Sequence, residues 1–259
     1  WFLDAQLRSD MTGLERDVIT RLEALARHED DDIRALALAS LHYARGTEVQ
    51  TRRFLAAALD SLGEREARVR ARWGLILGYL GDRMRGEGDP LGAVALYRRA
   101  REIDPANPRI PVNLGLARAD AGNLAAATDA YRESLAMDPV QPLTLVNLGI
   151  ALAARNDAAG AIAAYRRAIA LNPREPLAYF NLAGAFARLT NPDSALANFA
   201  RAAALDPSLT LANYYASRLY LDRGNPEAAL REIEAGLRFD PRQPEARAMR
   251  DQLRRQLGR

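Results

Sequence analysis

Two histidines, an acidic run and a recurring asparagine are the side chains here whose types and spacing could do chemistry. His28 opens the run His28, Glu29, Asp30, Asp31, Asp32, and an imidazole beside these carboxylates could hold a cation. The run lacks the glycine and the closing glutamate of a calcium loop. Aspartates just ahead of a helix also cap its free amides and favour its dipole, so capping is expected and metal binding is not. His42 stands beside Tyr43 in a helical stretch, where packing or surface exposure is expected rather than catalysis. Cysteine is absent. Disulfides, thiolate chemistry, cysteine-ligated zinc and haem attached through C-x-x-C-H are therefore excluded within this chain. There is no G-x-S-x-G elbow, no phosphate-binding glycine loop and no H-E-x-x-H. Carboxylates are abundant, but no pair is marked for acid–base work in a shared cleft. No enzyme and no cofactor are expected.

The elements that position these side chains follow from composition and periodicity. The chain has 259 residues, of which 49% are hydrophobic, enough for a folded core. All 36 basic residues are arginines, and the net charge is +3 because acids are interspersed among them. That mixing reads as solvated helix faces, not as the one-sided basic surface of a nucleic-acid binder. The excess of Arg, Ala, Leu and acidic residues reads as GC-rich coding and a bacterial source. No apolar run reaches the ~18 residues of a membrane span. The chain starts at Trp1-Phe2-Leu3 and not at Met. Either the sequence simply begins here, or a leader or anchor has been removed or lies outside it; a periplasmic or envelope location is preferred, with the cytoplasm as the alternative.

The main signal is an internal repeat. The triplet Asn113 to Gly115 recurs 34 residues on at Asn147 to Gly149, and again as Asn181 to Ala183. The same step reaches Tyr215 to Ser217, and backwards it reaches Tyr79 to Gly81. Five units fit without a gap: 74–107, 108–141, 142–175, 176–209 and 210–243. Their eighth slot is Gly81, Gly115, Gly149, Ala183 and Ser217. Twelve residues on stand Ala93, Ala127, Ala161, Ala195 and Ala229, and four further on Tyr97, Tyr131, Tyr165, Phe199 and Ile233. Each unit ends near a proline: Pro105, Pro139, Pro173, Pro207, Pro241. A small residue at slot eight lets two helices approach closely. The alanine does the same from the second helix, and the residue one turn along fills the space beside it. Proline then stops the second helix. A single hairpin cannot bury its apolar face, whereas stacked neighbours can.

These residues resemble the tetratricopeptide repeat (TPR) family over about two-thirds of the chain. The resemblance implies an all-α, right-handed α-solenoid. Departures are Met84, Arg118 and Leu152 at the often aromatic eleventh slot, and Ser217, Ile233 and Gly236 in the last unit. Residues 244–259 read as a capping helix, with Ala246, Met249 and Leu253 on its apolar side. In residues 1–73, Ile33-Arg34-Ala35 matches Val69-Arg70-Ala71, each after a polar loop and a preceding helix (Glu15 to Ala26, Gln50 to Ser61). This resembles HEAT repeats. It implies two HEAT-like hairpins, the last helix of which, about Ala67 to Met84, also opens the first TPR unit. Arg85 to Pro90 is then the turn inside that unit.

The resemblance implies that function lies on the concave face, lined by the first helix of each unit. Its sixth slot offers Asn113, Asn147 and Asn181, flanked by Tyr79 and Tyr215. Asparagine carries a donor and an acceptor and can pair with a peptide backbone; it is also common at this slot in the family without that role. The fifth slot offers Val112, Val146, Phe180 and Tyr214. The ninth offers Leu116, Ile150, Gly184 and Arg218. A carboxylate clamp of lysines and arginines is not present at these slots. The groove suits an amphipathic helix or an extended apolar segment of another protein, with Phe180, Tyr214 and Tyr215 as anchors. The chain's own Trp1 to Leu7 is an alternative occupant. The expected function is a non-catalytic protein-interaction scaffold or adaptor, a subunit or assembly factor of a larger bacterial complex. Some multihaem cytochromes carry HEAT-plus-TPR regions, which suggests a membrane-associated or redox assembly as the context. A regulatory or targeting module of an enzyme, or a nucleic-acid binder using arginines, is the alternative. No nucleic-acid partner is expected.

Overall fold

The computed structural model describes residues 67–258 together with Arg27. By its internal contacts the chain divides into two compact units, Trp1–Arg70 and Ala71–Arg259. The HEAT-like hairpins, both histidines, the acidic run and the Trp1 to Leu7 segment lie outside the described residues. The described residues form helices and turns only. In chain order the helices are α1 (Ala67–Gly86), α2 (Pro90–Ile103), α3 (Arg109–Asp120), α4 (Leu124–Met137), α5 (Pro142–Ala154) and α6 (Ala158–Leu171). They continue as α7 (Pro176–Arg188), α8 (Pro192–Leu205), α9 (Thr210–Asp222), α10 (Pro226–Leu237) and α11 (Pro244–Gln256). Odd-numbered helices from α1 to α9 open the five repeats and even-numbered ones close them. The turn expected at Arg85 to Pro90 lies between α1 and α2, as the repeat register requires.

The turn inside every unit is built the same way. Its fifteenth slot is left-handed in all five: Gly88 (φ 87°), Gly122 (78°), Asn156 (66°), Thr190 (54°) and Gly224 (70°). Glycine takes this conformation without a Cβ clash, and asparagine tolerates it. Threonine, branched at Cβ, is strained there. The sixteenth slot is then Asp or Asn, and its side chain accepts the amide three residues on. The bonds are Asp89 to Gly92 (2.8 Å), Asn123 to Ala126 (3.1 Å), Asp157 to Gly160 (2.9 Å), Asn191 to Ser194 (3.2 Å) and Asn225 to Ala228 (3.0 Å). Each satisfies one of the orphan donors at the start of the second helix. At the far end of the last four units, an Asp or Asn ahead of the proline accepts the amide two residues on, as Asp138 does from Val140 at 2.9 Å.

Packing within a unit turns on slot eight. A Cβ built on Gly81 would stand 2.7 Å from ring carbons of Tyr97, one on Gly115 would stand 2.5 Å from Tyr131, and one on Gly149 would meet the ring of Tyr165. The ring edge therefore occupies the space where a side chain would be. All three tyrosines are buried, and the repeated alanines Ala93, Ala127, Ala161, Ala195 and Ala229 are fully buried at the matching helix contact. Where slot eight has a Cβ, the partner is smaller: Phe199 faces the unit of Ala183, and Ile233 that of Ser217. Ser217 is buried, and its hydroxyl donates to the Ala229 carbonyl at 2.8 Å. Tyr97 donates to Asp82 Oδ1 at 2.6 Å. Burial holds these phenols protonated. The Tyr131 phenol is pushed up to about 12 by burial and then by Asp120. Burial raises Tyr97 and Tyr165 further, and the bond to Asp82 adds to it at Tyr97.

Between units, each second helix packs on the first helix of the next, and α5 also touches α3 and α7. The first helices of the three middle units therefore also meet one another, on the inner side of the stack there. One core cluster runs from Ala127 and Tyr131 through Leu145, Leu148 and Tyr165 to Leu182. At the C-terminal end, Ala246 and Leu253 of α11 are buried against Ala229, Leu230, Ile233 and Leu237. The opposite face of α11 is arginine and glutamine.

Gly115→Ala should force the Tyr131 ring to move. Overpacking of this kind costs about 1–3 kcal/mol, so the thermal midpoint should fall by roughly 3–10 °C; an unchanged midpoint would refute the contact. Thr190→Gly should act in the opposite direction. Relief of the left-handed strain, less the entropy of a glycine, should add about 0.5–1.5 kcal/mol in urea unfolding, and a loss of stability would show that Thr190 is not strained.

Candidate functional site

On a helix, residues spaced i, i+4, i+7 and i+11 share one face. Applied to the first helix of each unit, this places slots 2, 6, 9 and 13 in a stripe, and the exposure pattern follows it. On α5 the stripe is Leu143, Asn147, Ile150 and Ala154, all exposed or half-buried, while Leu145, Leu148, Gly149 and Leu152 between them are buried. The stripe is Leu177, Asn181, Gly184 and Arg188 on α7, and Leu211, Tyr215, Arg218 and Asp222 on α9. On α3 it is Arg109, Asn113, Leu116 and Asp120. Because α5 touches α3 and α7, at least these three stripes lie side by side on the inner face. The α5 helix, PLTLVNLGIALAA, carries no charge at all.

The residues singled out from the sequence divide on this surface. Asn113, Asn147 and Asn181 are half-buried at equivalent positions. Asn181 turns its Nδ2 back onto the Leu177 carbonyl of its own helix at 2.8 Å. No side-chain hydrogen bond joins Asn113 or Asn147 to another described residue. Val146 does not reach the groove: it is 2% exposed and packs in the core. Slot five points toward the neighbouring unit, and valine is short enough to be covered there. Val112 is half-buried, and Leu116 packs partly on the core. Ile150 is exposed.

The three expected anchors pack on one another, with Phe199 beneath. Phe180 meets Phe199 edge-on at 5.7 Å between ring centroids, Tyr215 stacks on Phe199 at 6.0 Å, and Tyr214 meets Tyr215 edge-on at 5.6 Å. Such pairs add to area burial and fix the rings in place. Tyr215 stays 40% exposed, whereas Phe180 and Tyr214 are half-buried and partly spent on the core. Arg218 is exposed and forms no ion pair with a described residue.

Slot two was passed over. Leu143 (58% exposed), Leu177 (43%) and Leu211 (43%) stand there on successive first helices. The signal was legible, since the slot lies one turn before the asparagine of slot six and carries leucine in three consecutive units. Arg188 is also more than a charge. It donates to the Ala153 carbonyl at 3.0 Å and to Asn156 Oδ1 at 2.9 Å, tying α7 to the end of α5. Arg118, at the slot often held by an aromatic, is half-buried and donates to the Ala126 carbonyl at 3.1 Å. Burial, then the nearby Arg101 and Arg98, lowers its pKa. Among the described residues no three His, Asp or Glu side chains cluster as metal ligands, and no helix is long and apolar enough to cross a membrane.

The arrangement of repeated helical hairpins agrees with the family comparisons. Models of the TPR repeat match residues 80–142, 151–189 and 186–253. The chain is a tetratricopeptide repeat protein. A TPR array is a protein–protein interaction scaffold. Solved structures share the fold. MamA is 24% identical, with 64% of this chain and 96% of that one covered at a TM-score of 0.58. YrrB, described as a TPR protein with an unusual peptide-binding site, is 20% identical over 76% of this chain and 97% of that one, at 0.58. The C-terminal part of a TPR repeat-containing protein from Cytophaga hutchinsonii is 16% identical over 96% of this chain and 99% of that one, at 0.67. No curated protein matches the sequence.

The division between core and surface on α5 of this TPR protein is directly measurable. Val146→Ala should cost about 1–3 kcal/mol in urea unfolding. Leu143→Ala, three residues away, should stay within about 0.5 kcal/mol of the parent. Equal losses would mean that the edge of the core does not run between the two side chains.

Proposed function

We propose that this TPR array is a non-catalytic scaffold or adaptor that holds a segment of a partner protein on the inner face of α3, α5, α7 and α9. The observation that carries the proposal is the uncharged α5 stripe. Leu143 and Ile150 are exposed there beside Asn147, whose amide has no partner among the described residues. An exposed apolar row with convergent amides is a surface built to be covered. YrrB, with its peptide-binding site, supports a peptide-like occupant. The role fits a subunit or assembly factor of a larger bacterial complex. The proposal does not extend to a membrane-associated or multihaem redox assembly, for which the groove supplies no observation.

The arginine faces speak less for a nucleic acid. Arg166 lies over the Phe186 ring and Arg201 over the Tyr179 ring, each at 5.8 Å. Other exposed arginines pair with acids across units, as Arg101 does with Glu133 at 3.0 Å.

Two charge-changing variants separate the surfaces. Asn147→Ala with Leu177→Glu alters the groove, and Arg166→Glu with Arg167→Glu alters the outer helices. In cross-linking and affinity capture with the full chain, the first variant should lose the partner captured by the parent and the second should keep it. The reverse result would move the binding site to the outer face.

A further inference from the structure

We infer that the seam where α3 packs between α2 and α4 binds a phosphate-type oxyanion, held by Arg98, Arg101 and Arg118. The site is independent of the groove reading. On α3, Arg118 stands two residues from both Leu116 and Asp120 of the inner stripe, and two residues along a helix point to different sides.

The repeat register exposes the anomaly. Slot 25 of one unit meets slot 11 of the next at two places where the contact is direct. Arg166 lies over the Phe186 ring, 5.8 Å from its centre. Arg254 donates to Glu234 at 2.6 Å, with α11 continuing the register as a first helix. A guanidinium on a ring face and a guanidinium on a carboxylate are both complementary pairs. Arg132 with Leu152, and Ala200 with Tyr220, set no like charges together. The same slots between the first two units hold Arg98 and Arg118, two guanidiniums.

The surroundings of Arg118 do not supply the missing acid. Its side chain is half-buried, and its guanidinium makes one hydrogen bond to a described residue, from Nη1 to the Ala126 carbonyl at 3.1 Å. Most of its five N–H donors stay unused. Burial, then Arg101 and Arg98, weigh against its charge, and Glu133 and Asp129 support it. Glu133 is already bonded to Arg101 at 3.0 Å, and Asp129 is set against Arg132 at 3.9 Å. Arg98 forms no ion pair with a described residue. Three guanidiniums therefore share the single carboxylate of Glu133, and about two positive charges are left over.

That surplus selects the ligand. A phosphate group carries about −1.5 to −2 at pH 7, and its oxygens accept the parallel N–H donors of guanidinium forks. One carboxylate would leave a positive charge standing in a partly desolvated seam. A nucleic-acid backbone would need a track of free cations, but on either side Arg99 is bonded to Glu102 at 2.8 Å and Arg132 faces Asp129. The site is compact and takes one ion or one phosphoryl group.

The test is calorimetric titration of the full chain with inorganic phosphate and, separately, with O-phosphoserine, in chloride at fixed ionic strength. Acetate is the singly charged comparison. Phosphate should bind saturably at one site, and acetate about tenfold more weakly or worse. Arg118→Leu copies Leu152 of the next unit, and Arg98→Glu copies Glu234. Each should weaken phosphate about tenfold or more, while Arg166→Ala should leave it unchanged. Tighter binding of phosphoserine than of phosphate would name a phosphorylated side chain as the source, and the reverse order the free ion; either supports the site. Acetate bound as tightly as phosphate, binding that survives both Arg98→Glu and Arg118→Leu, equal loss in Arg166→Ala, or no saturable binding of either phosphate overturns it. Circular dichroism checks folding. Arg98 is exposed, so its variant keeps the test decisive should Arg118→Leu fail to fold.

Discussion

Gly81, Gly115 and Gly149 each present bare backbone to the edge of a tyrosine ring, and the distance leaves no room for a methyl group. That contact sets how closely the two helices of a hairpin approach. Everything further out depends on it. The fully buried alanines flank it, the next hairpin docks on the pair it defines, and the inner stripe takes its position from that docking. Dispersion and burial carry this packing. They are sensitive to a single carbon, which explains why slot eight and the residue facing it change together along the chain. Glycine goes with tyrosine, alanine with phenylalanine and serine with isoleucine.

Charge has a lesser part in holding the array. The pairs that span units, Arg85 with Asp120, Arg101 with Glu133, Arg223 with Asp193 and Arg254 with Glu234, are all substantially exposed. Exposed pairs of this kind contribute roughly 0–1 kcal/mol each. Their effect is to hold the outer edges polar. The inner face is organised differently: its α5 stripe has no charge, and Leu143, Ile150, Leu177 and Leu211 are left exposed. A stack held together by small contacts at regular intervals can leave much of such a face free.

Much of the repeat was legible because its period is fixed by close packing. Small residues, alanines and terminal prolines recur in strict register, and the hairpins follow that register to within a residue or two. The turn was legible in part. Left-handed Gly88, Gly122 and Gly224 advertise themselves, but Asn156 and Thr190 do not, and only the common slot reveals them. The groove was read less well. Val146 and Phe180 share a slot, and the rule that slot five faces inward ignores side-chain length, which buries the valine and half-exposes the phenylalanine. The leucines at slot two were not singled out, since leucine type alone does not show that a side chain is left uncovered.

The sequence alone determined the repeat length, the hairpin register, the capping residues and the absence of thiol chemistry. These depend on local conformation and on which side chain fits against which, and both are written in residue type and spacing. Tertiary structure decided which apolar side chains stay uncovered, which asparagine turns back on its own helix and which arginines find a partner. Those outcomes depend on where the neighbouring unit ends, a distance that no single helix contains.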